Sequence, residues 1–388
     1  MKRYPLIAAL ALLLFSACNN NSKSGSAKEN TADSTANKSA ELPQNFSKRF
    51  EGEIAGKHVT MNLEKVDYSY SGSYYYDGSW LALSTDSLIG KDSIVLAETN
   101  IAGYEYDENY KPNTLSLKWT GNGFSGKWRN AKKDKVFDIN LTEKYPEGSY
   151  AFSIARFEDS KVAFPKKKES PAAEIGFKAL SATGNSEGDK WLNQELRKMM
   201  ELKPADKDWN AGFKRLTKAY FDDYENSLKD LSTDDEMSQA SLNYSNHSTQ
   251  TVLFNDKDFV VIEFMVDDYS GGAHGNYASL MHCLDVKNKK QLELDDIVKI
   301  DSNVLQSLLE KNLRKQYHVK PGDQLTAVLF DDYLKANDNF YFNTNGLAFL
   351  YNPYEIASYA QGQIVVFVPF AELKNYLVPD FAERMGLK

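Results

Sequence analysis

Only two of the 388 residues are cysteine, Cys18 and Cys283. That excludes a disulfide-rich scaffold and any Cys-rich zinc or iron–sulfur site. The five histidines are scattered: His58, His247, His274, His282 and His318. No His-Glu-x-x-His and no Gly-x-Ser-x-Gly elbow occurs, so the signatures of zinc proteases and of serine hydrolases are missing. A basic excess is missing too: 46 Lys and Arg stand against 54 Asp and Glu, a formal charge of −8, which argues against a nucleic-acid binder. No cofactor or metal is expected. The chain also lacks an apolar run of the ~20 residues a spanning helix needs. Its longest, residues 6–15, has ten.

That run belongs to a leader. Lys2 and Arg3 precede it, and Ser16-Ala17 place small residues before Cys18. This is the layout of a secretory signal, residues 1–17. Its ending resembles a bacterial lipobox, which implies a lipidated Cys18 as the first mature residue. Acyl chains hold a domain to a bilayer because each buried CH₂ contributes ~0.8 kcal/mol. Asn19 follows the cysteine, so no inner-membrane retention signal is present. The expected location is the outer membrane, facing the periplasm, with surface exposure as the alternative. Residues 18–45 then lack large apolar side chains and read as a disordered tether.

Residues 46–145 carry short apolar–aromatic runs spaced by Gly, Asn and Asp at intervals near ten, the pattern of an all-β meander, barrel or sandwich. Residues 58–63 alternate with period two, as a half-buried strand does. The tyrosines Tyr68, Tyr70, Tyr74, Tyr75 and Tyr76 read as cross-strand pairs, with a glycan platform as the alternative. Residues 146–171 read as a linker region with a strand inside it. Residues 172–388 read as an α+β domain, helices packed on an antiparallel sheet. The spacing predicts helices over 187–202, 205–231, 303–317, 325–334 and 369–375. It predicts strands over 238–254, 258–267 and 276–286, a hairpin of 340–342 with 347–351, and a strand over 363–368. The fold class is therefore α+β overall, and Cys283 is expected in a core strand rather than a reactive site.

Three segments carry a likeness. They are Tyr269-Ser270-Gly271-Gly272-Ala273-His274-Gly275-Asn276, the strand–turn–strand that continues it, and the C-terminal run containing Tyr351-Asn352-Pro353-Tyr354-Glu355 and Tyr359-Ala360-Gln361-Gly362. Together, over residues 172–388, they resemble the extracytoplasmic domain of the lysozyme-sensing anti-sigma factor RsiV. A related domain lies beside the catalytic module of some peptidoglycan deacetylases. The resemblance implies an envelope domain and a lysozyme-like ligand. It carries neither sigma-factor control nor deacetylation, whose metal-binding motifs are absent here.

The expected ligand-binding residues are Tyr269, Gly271, Gly272, His274, Tyr354 and Tyr359. Gly271, Gly272 and Gly275 permit a tight connection between strands, which leaves His274 on an exposed turn. The leading expectation is a lipid-anchored, non-catalytic envelope protein that binds a lysozyme-like hydrolase or a peptidoglycan-related ligand. An enzyme acting on cell-wall glycan and a structural or assembly lipoprotein are the alternatives. A buried carboxylate pair or a His–carboxylate pair converging in one cleft would favour the enzyme; a flat, Tyr-rich convex surface would favour binding.

Overall fold

The structure, a computed structural model, describes residues 41–76, 79–100, 111–229 and 240–387. The expected leader, Cys18 and the expected tether as far as residue 40 lie outside the described residues.

Eight antiparallel strands open the fold: β1 (Phe46–Ile54), β2 (Lys57–Val66), β3 (Ser69–Tyr76), β4 (Ser79–Leu88), β5 (Ser93–Thr99), β6 (Asn113–Trp119), β7 (Gly123–Arg129) and β8 (Val136–Glu143). Each pairs with the next, and β8 returns to β1, with Ile54 opposite Ile139 and Phe50 opposite Glu143. The meander is thus a closed barrel. Alternate residues fill its interior, among them Phe50, Val59, Met61, Leu63, Leu96, Leu115, Phe124 and Ile139. Tyr70 and Tyr74 belong to this filling, and Tyr75 packs outward on Phe254 at 5.6 Å. The tyrosine cluster is therefore largely core, and only Tyr68 stands well out in solvent. Strand β2 is buried on both faces, not half-buried as its alternation suggests, because the rest of the chain covers its outer residues Asn62 and Glu64.

The sheet continues through β9 (Phe152–Val162), β10 (Ala172–Ala182), β11 (Tyr244–Asp256), β12 (Phe259–Tyr269), β13 (Asn276–Asp285) and the two-residue β14 (Lys290–Gln291). Strand β9 touches β1 at one register pair, Ser47 opposite Phe152. One neighbouring pair departs from the expected antiparallel order: β10 and β11 run parallel. Their connection holds α1 (Glu187–Met199) and α2 (Trp209–Leu228), which gives the crossover length that a parallel return needs. Asp208 caps α2, its side chain accepting from the Ala211 amide at 2.8 Å, so this helix starts four residues later than its periodicity suggests.

Strand β12 separates two packed layers by its period of two. Val260 and Ile262 meet Leu192, Leu196 and Met199 of α1, while Phe259 and Val261 meet a second core. That second core is built on α3 (Ser302–Gln316) and a three-stranded sheet, β15 (Phe340–Phe342), β16 (Gly346–Tyr351) and β17 (Ile364–Pro369). Short helices α4 (Phe370–Leu373) and α5 (Pro379–Met385) finish the chain, and α5 was not expected. The helix expected over 325–334 is a single 3₁₀ turn, Leu325–Ala327. Backbone donors beyond it go elsewhere: Phe330 N–H to the Ile356 carbonyl at 2.8 Å and Leu334 N–H to Glu310 Oε1 at 3.1 Å. Cys283 is buried, its thiol 3.5 Å from the Phe340 carbonyl, and burial pushes its pKa up, so it is a core residue.

Candidate functional site

Two segments far apart in sequence meet at one edge of β13. The first is the connection from β12 to β13, residues 270–275. Gly271 and Gly272 take φ of +95° and +101°. A Cβ on Gly271 would stand 2.9 Å from the Ser241 carbonyl oxygen, so both the dihedral and the space select glycine there. The Tyr269 hydroxyl donates to the Gly272 carbonyl at 2.9 Å and closes the loop.

The second segment is the turn after β16. The Asn352 amide N–H donates to Glu355 Oε2 at 2.9 Å, and the Glu355 N–H returns to the Asn352 carbonyl at 3.0 Å. This pins Tyr354 at φ +68° with its ring 54 % exposed. Then comes the 3₁₀ turn Tyr359–Gln361.

The rings converge. His274 stacks on Tyr359 with centroids 3.9 Å apart and planes 20° apart. Its Nδ1 lies 2.8 Å from the Gly275 carbonyl and its Nε2 3.2 Å from the Tyr354 hydroxyl. A carbonyl only accepts, so Nδ1 carries the proton and, in the neutral ring, Nε2 accepts from Tyr354. Tyr354 and Tyr359 are 5.7 Å apart, and Tyr277 meets Tyr359 edge-on at 6.1 Å. Of the residues singled out from sequence, His274, Tyr354 and Tyr359 form this platform, Gly271 and Gly272 shape the loop beneath His274, and Tyr269 serves the loop rather than the ring cluster. Tyr277 was missed. It sits at an ordinary strand position, and its nearness to the glycine loop was the available signal.

A polar bracket underlies the platform. Buried Ser279 on β13 gives its amide N–H to Asn352 Oδ1 at 2.8 Å, and its carbonyl receives Asn352 Nδ2 at 3.2 Å and Asn339 Nδ2 at 2.8 Å. Gln363 Nε2 donates to Ser279 Oγ at 3.0 Å and to Asn352 Oδ1 at 3.1 Å. Side-chain amides thus imitate a strand partner and hold the small sheet against β13.

A His–carboxylate pair exists elsewhere. His247 Nδ1 lies 3.2 Å from Asp267 Oδ1, beside a pocket of about 420 Å³ with Glu158, Asp159, Ser160 and Glu174. Both partners are about 40 % exposed, so solvent reaches the pair. His282 does not join His274; its Nδ1 lies 3.5 Å from Gln291 Oε1. Among the described residues no group of three or more His, Cys, Asp or Glu is placed to hold a metal ion, and no helix is long and apolar enough to cross a membrane.

Residues 295–371, which include the Tyr354 and Tyr359 side of the platform, match DUF3298, described as a protein of unknown function. The C-terminal part of the chain carries a DUF3298 domain. A crystal structure of a DUF3298 member from Bacteroides fragilis is similar, with TM-score 0.53 and 22% identity, covering 62% of this chain and 100% of that one. A DUF3298 protein from Pseudomonas aeruginosa gives 0.40 and 15%, covering 59% and 96%. No curated protein matches. The Bacteroides likeness shows a shared fold over 62% of this chain, and the 269–276 loop lies outside the matched family segment.

Proposed function

We propose that the chain is a non-catalytic, lipid-anchored envelope protein, tethered at Cys18 to the outer membrane, that binds a ligand on the His274–Tyr354–Tyr359 platform. The supporting observation is the convergence itself: loops 80 residues apart place three polar-rimmed rings together at the surface, with Tyr354 in a left-handed conformation. Exposed Tyr gives large contact area at small entropic cost, which is the composition of interaction surfaces. The resemblance to RsiV nominates a lysozyme-like hydrolase or its peptidoglycan substrate as the ligand.

The test is calorimetric titration of the mature chain with c-type lysozyme and with soluble peptidoglycan fragments, alongside an assay of lysozyme inhibition. Saturable binding that Tyr354→Ala abolishes is the expected result. No heat with either ligand would remove the reading. Cys18→Ser should move the protein from the membrane pellet to the soluble fraction; a variant that stays in the pellet would remove the anchor.

A second reading, an enzyme acting on cell-wall glycan, has His247–Asp267 as its observation. Glycan cleavage lost in His247→Ala but kept in Tyr354→Ala would favour it.

A further inference from the structure

A pocket of about 580 Å³ opens beside the platform, within the ~300–1,000 Å³ range of small-molecule sites. Gln316, Tyr317 and His318 at the C-terminal end of α3 form one wall, and Gln361, Gln363 and Val365 form the other. The turn Tyr359–Gln361 is shared: it sends Tyr359 to the ring cluster and Gln361 to the pocket. Gly362 makes this sharing feasible. Its φ is +66°, and a Cβ there would stand 3.1 Å from the Tyr277 hydroxyl. The ring cluster and the pocket therefore share one turn, Tyr359–Gln361.

The lining selects the ligand by charge and by hydrogen bonding. Among the described residues no Asp, Glu, Lys or Arg lines the pocket. A cationic group entering it would lose hydration without meeting a carboxylate. The lining offers three carboxamides, Gln316, Gln361 and Gln363, beside Tyr317 and His318. Gln361 is exposed and carries both a donor and an acceptor, the complement of a secondary amide. Gln363 is held in one orientation by its bonds to Ser279 and Asn352. Beside it the exposed Tyr354 offers an apolar ring with a hydroxyl rim, which suits a ligand with a C–H face and a hydroxyl edge.

We infer that the pocket is an acetamido subsite and that the platform and pocket together take an uncharged glycan containing N-acetylhexosamine units. The inference rests on the binding-protein reading and names the ligand class of the same surface. The rings would stack on a pyranose face while Gln361 brackets the N-acetyl amide of the adjoining unit.

The full-length protein in detergent is titrated with chitotetraose and, separately, with cellotetraose, which has the same linkage and no acetamido group. Saturable chitotetraose binding with at least about tenfold preference over cellotetraose is expected, because a site built on amide hydrogen bonds rejects a ligand lacking them. Gln361→Ala should reduce that preference about tenfold, and Tyr359→Ala should weaken both sugars. Ala360→Trp, on an exposed residue of the same turn, should block the pocket without touching the rings. Thermal melts check that each variant is folded. Absence of saturable chitotetraose binding, equal affinity for cellotetraose, or indifference to both Gln361→Ala and Ala360→Trp would overturn the inference. Lysozyme binding retained alongside any of these results would leave the binding-protein reading standing; loss of both ligands would remove the two together.

Discussion

Tyr354 holds a left-handed backbone conformation that disfavours an L side chain by about 1–2 kcal/mol. Its ring contacts are those with His274 and Tyr359 of the platform, and more than half of the residue is in solvent. Strain of this kind persists where a side chain is needed for something other than stability. Tyr354→Gly should therefore raise unfolding stability by about 1 kcal/mol in a urea titration while abolishing ligand binding. Tyr354→Phe keeps the ring and the strain but removes the hydroxyl from His274 Nε2. It should weaken binding less than glycine does, and an equal loss would make the hydroxyl the essential part. The loop was legible from sequence because Gly271 and Gly272 announce a turn with positive φ, whereas Tyr354 and Tyr359 were singled out only through the family resemblance. The pairing of His274 with Tyr359 was not legible, because residue-level patterns carry no information about which loops meet.

The same division holds for elements. Hydrophobic period placed α1, α3 and β12, whose apolar positions recur at 3–4 residues or form a continuous run. It failed over 325–334, where Leu325 and Leu329 are buried four residues apart while long-range partners take the backbone donors of Phe330 and Leu334. The joint between the small sheet and β13 was equally hidden, because asparagine amides make it where backbone would ordinarily do so. Asn352 satisfies both backbone groups of Ser279, which is 0 % exposed. Asn352→Ala leaves the buried Ser279 N–H without a partner, at a cost of about 2–3 kcal/mol. Hydrogen exchange should show faster opening of β15–β17 and the platform turn than of α1 and β10. Uniform loss of protection across the chain would mean that this joint is not a separate cooperative boundary.

At the scale of the whole molecule, the barrel is joined to strands β10 and β11 by buried charge. Arg49 of β1, 2 % exposed, donates to the Asn255 carbonyl at 3.1 Å and the Lys144 carbonyl at 2.9 Å and pairs with Glu51 at 2.8 Å. On β2, Glu64 accepts from Lys178 of β10, which also reaches Thr251 Oγ1 at 3.0 Å. Burial raises the Glu64 pKa, and Lys178 only partly opposes it. The folded state thus binds the Glu64 proton more tightly than the unfolded state does. Between the two pKa values, stability from this group is present at low pH and falls as pH rises. Lys178→Met removes the opposing charge and widens that window. The variant should lose about 3–5 kcal/mol near pH 7 by urea denaturation and recover part of the loss relative to wild type near pH 5, as Glu64 takes up a proton. Replacing both partners, Glu64→Leu with Lys178→Met, should restore most of the stability at pH 7, since no charge is then left buried. A loss that is independent of pH, or a double variant no better than the single, would show that the Lys178 stem packs the seam and that the ion pair does not hold it.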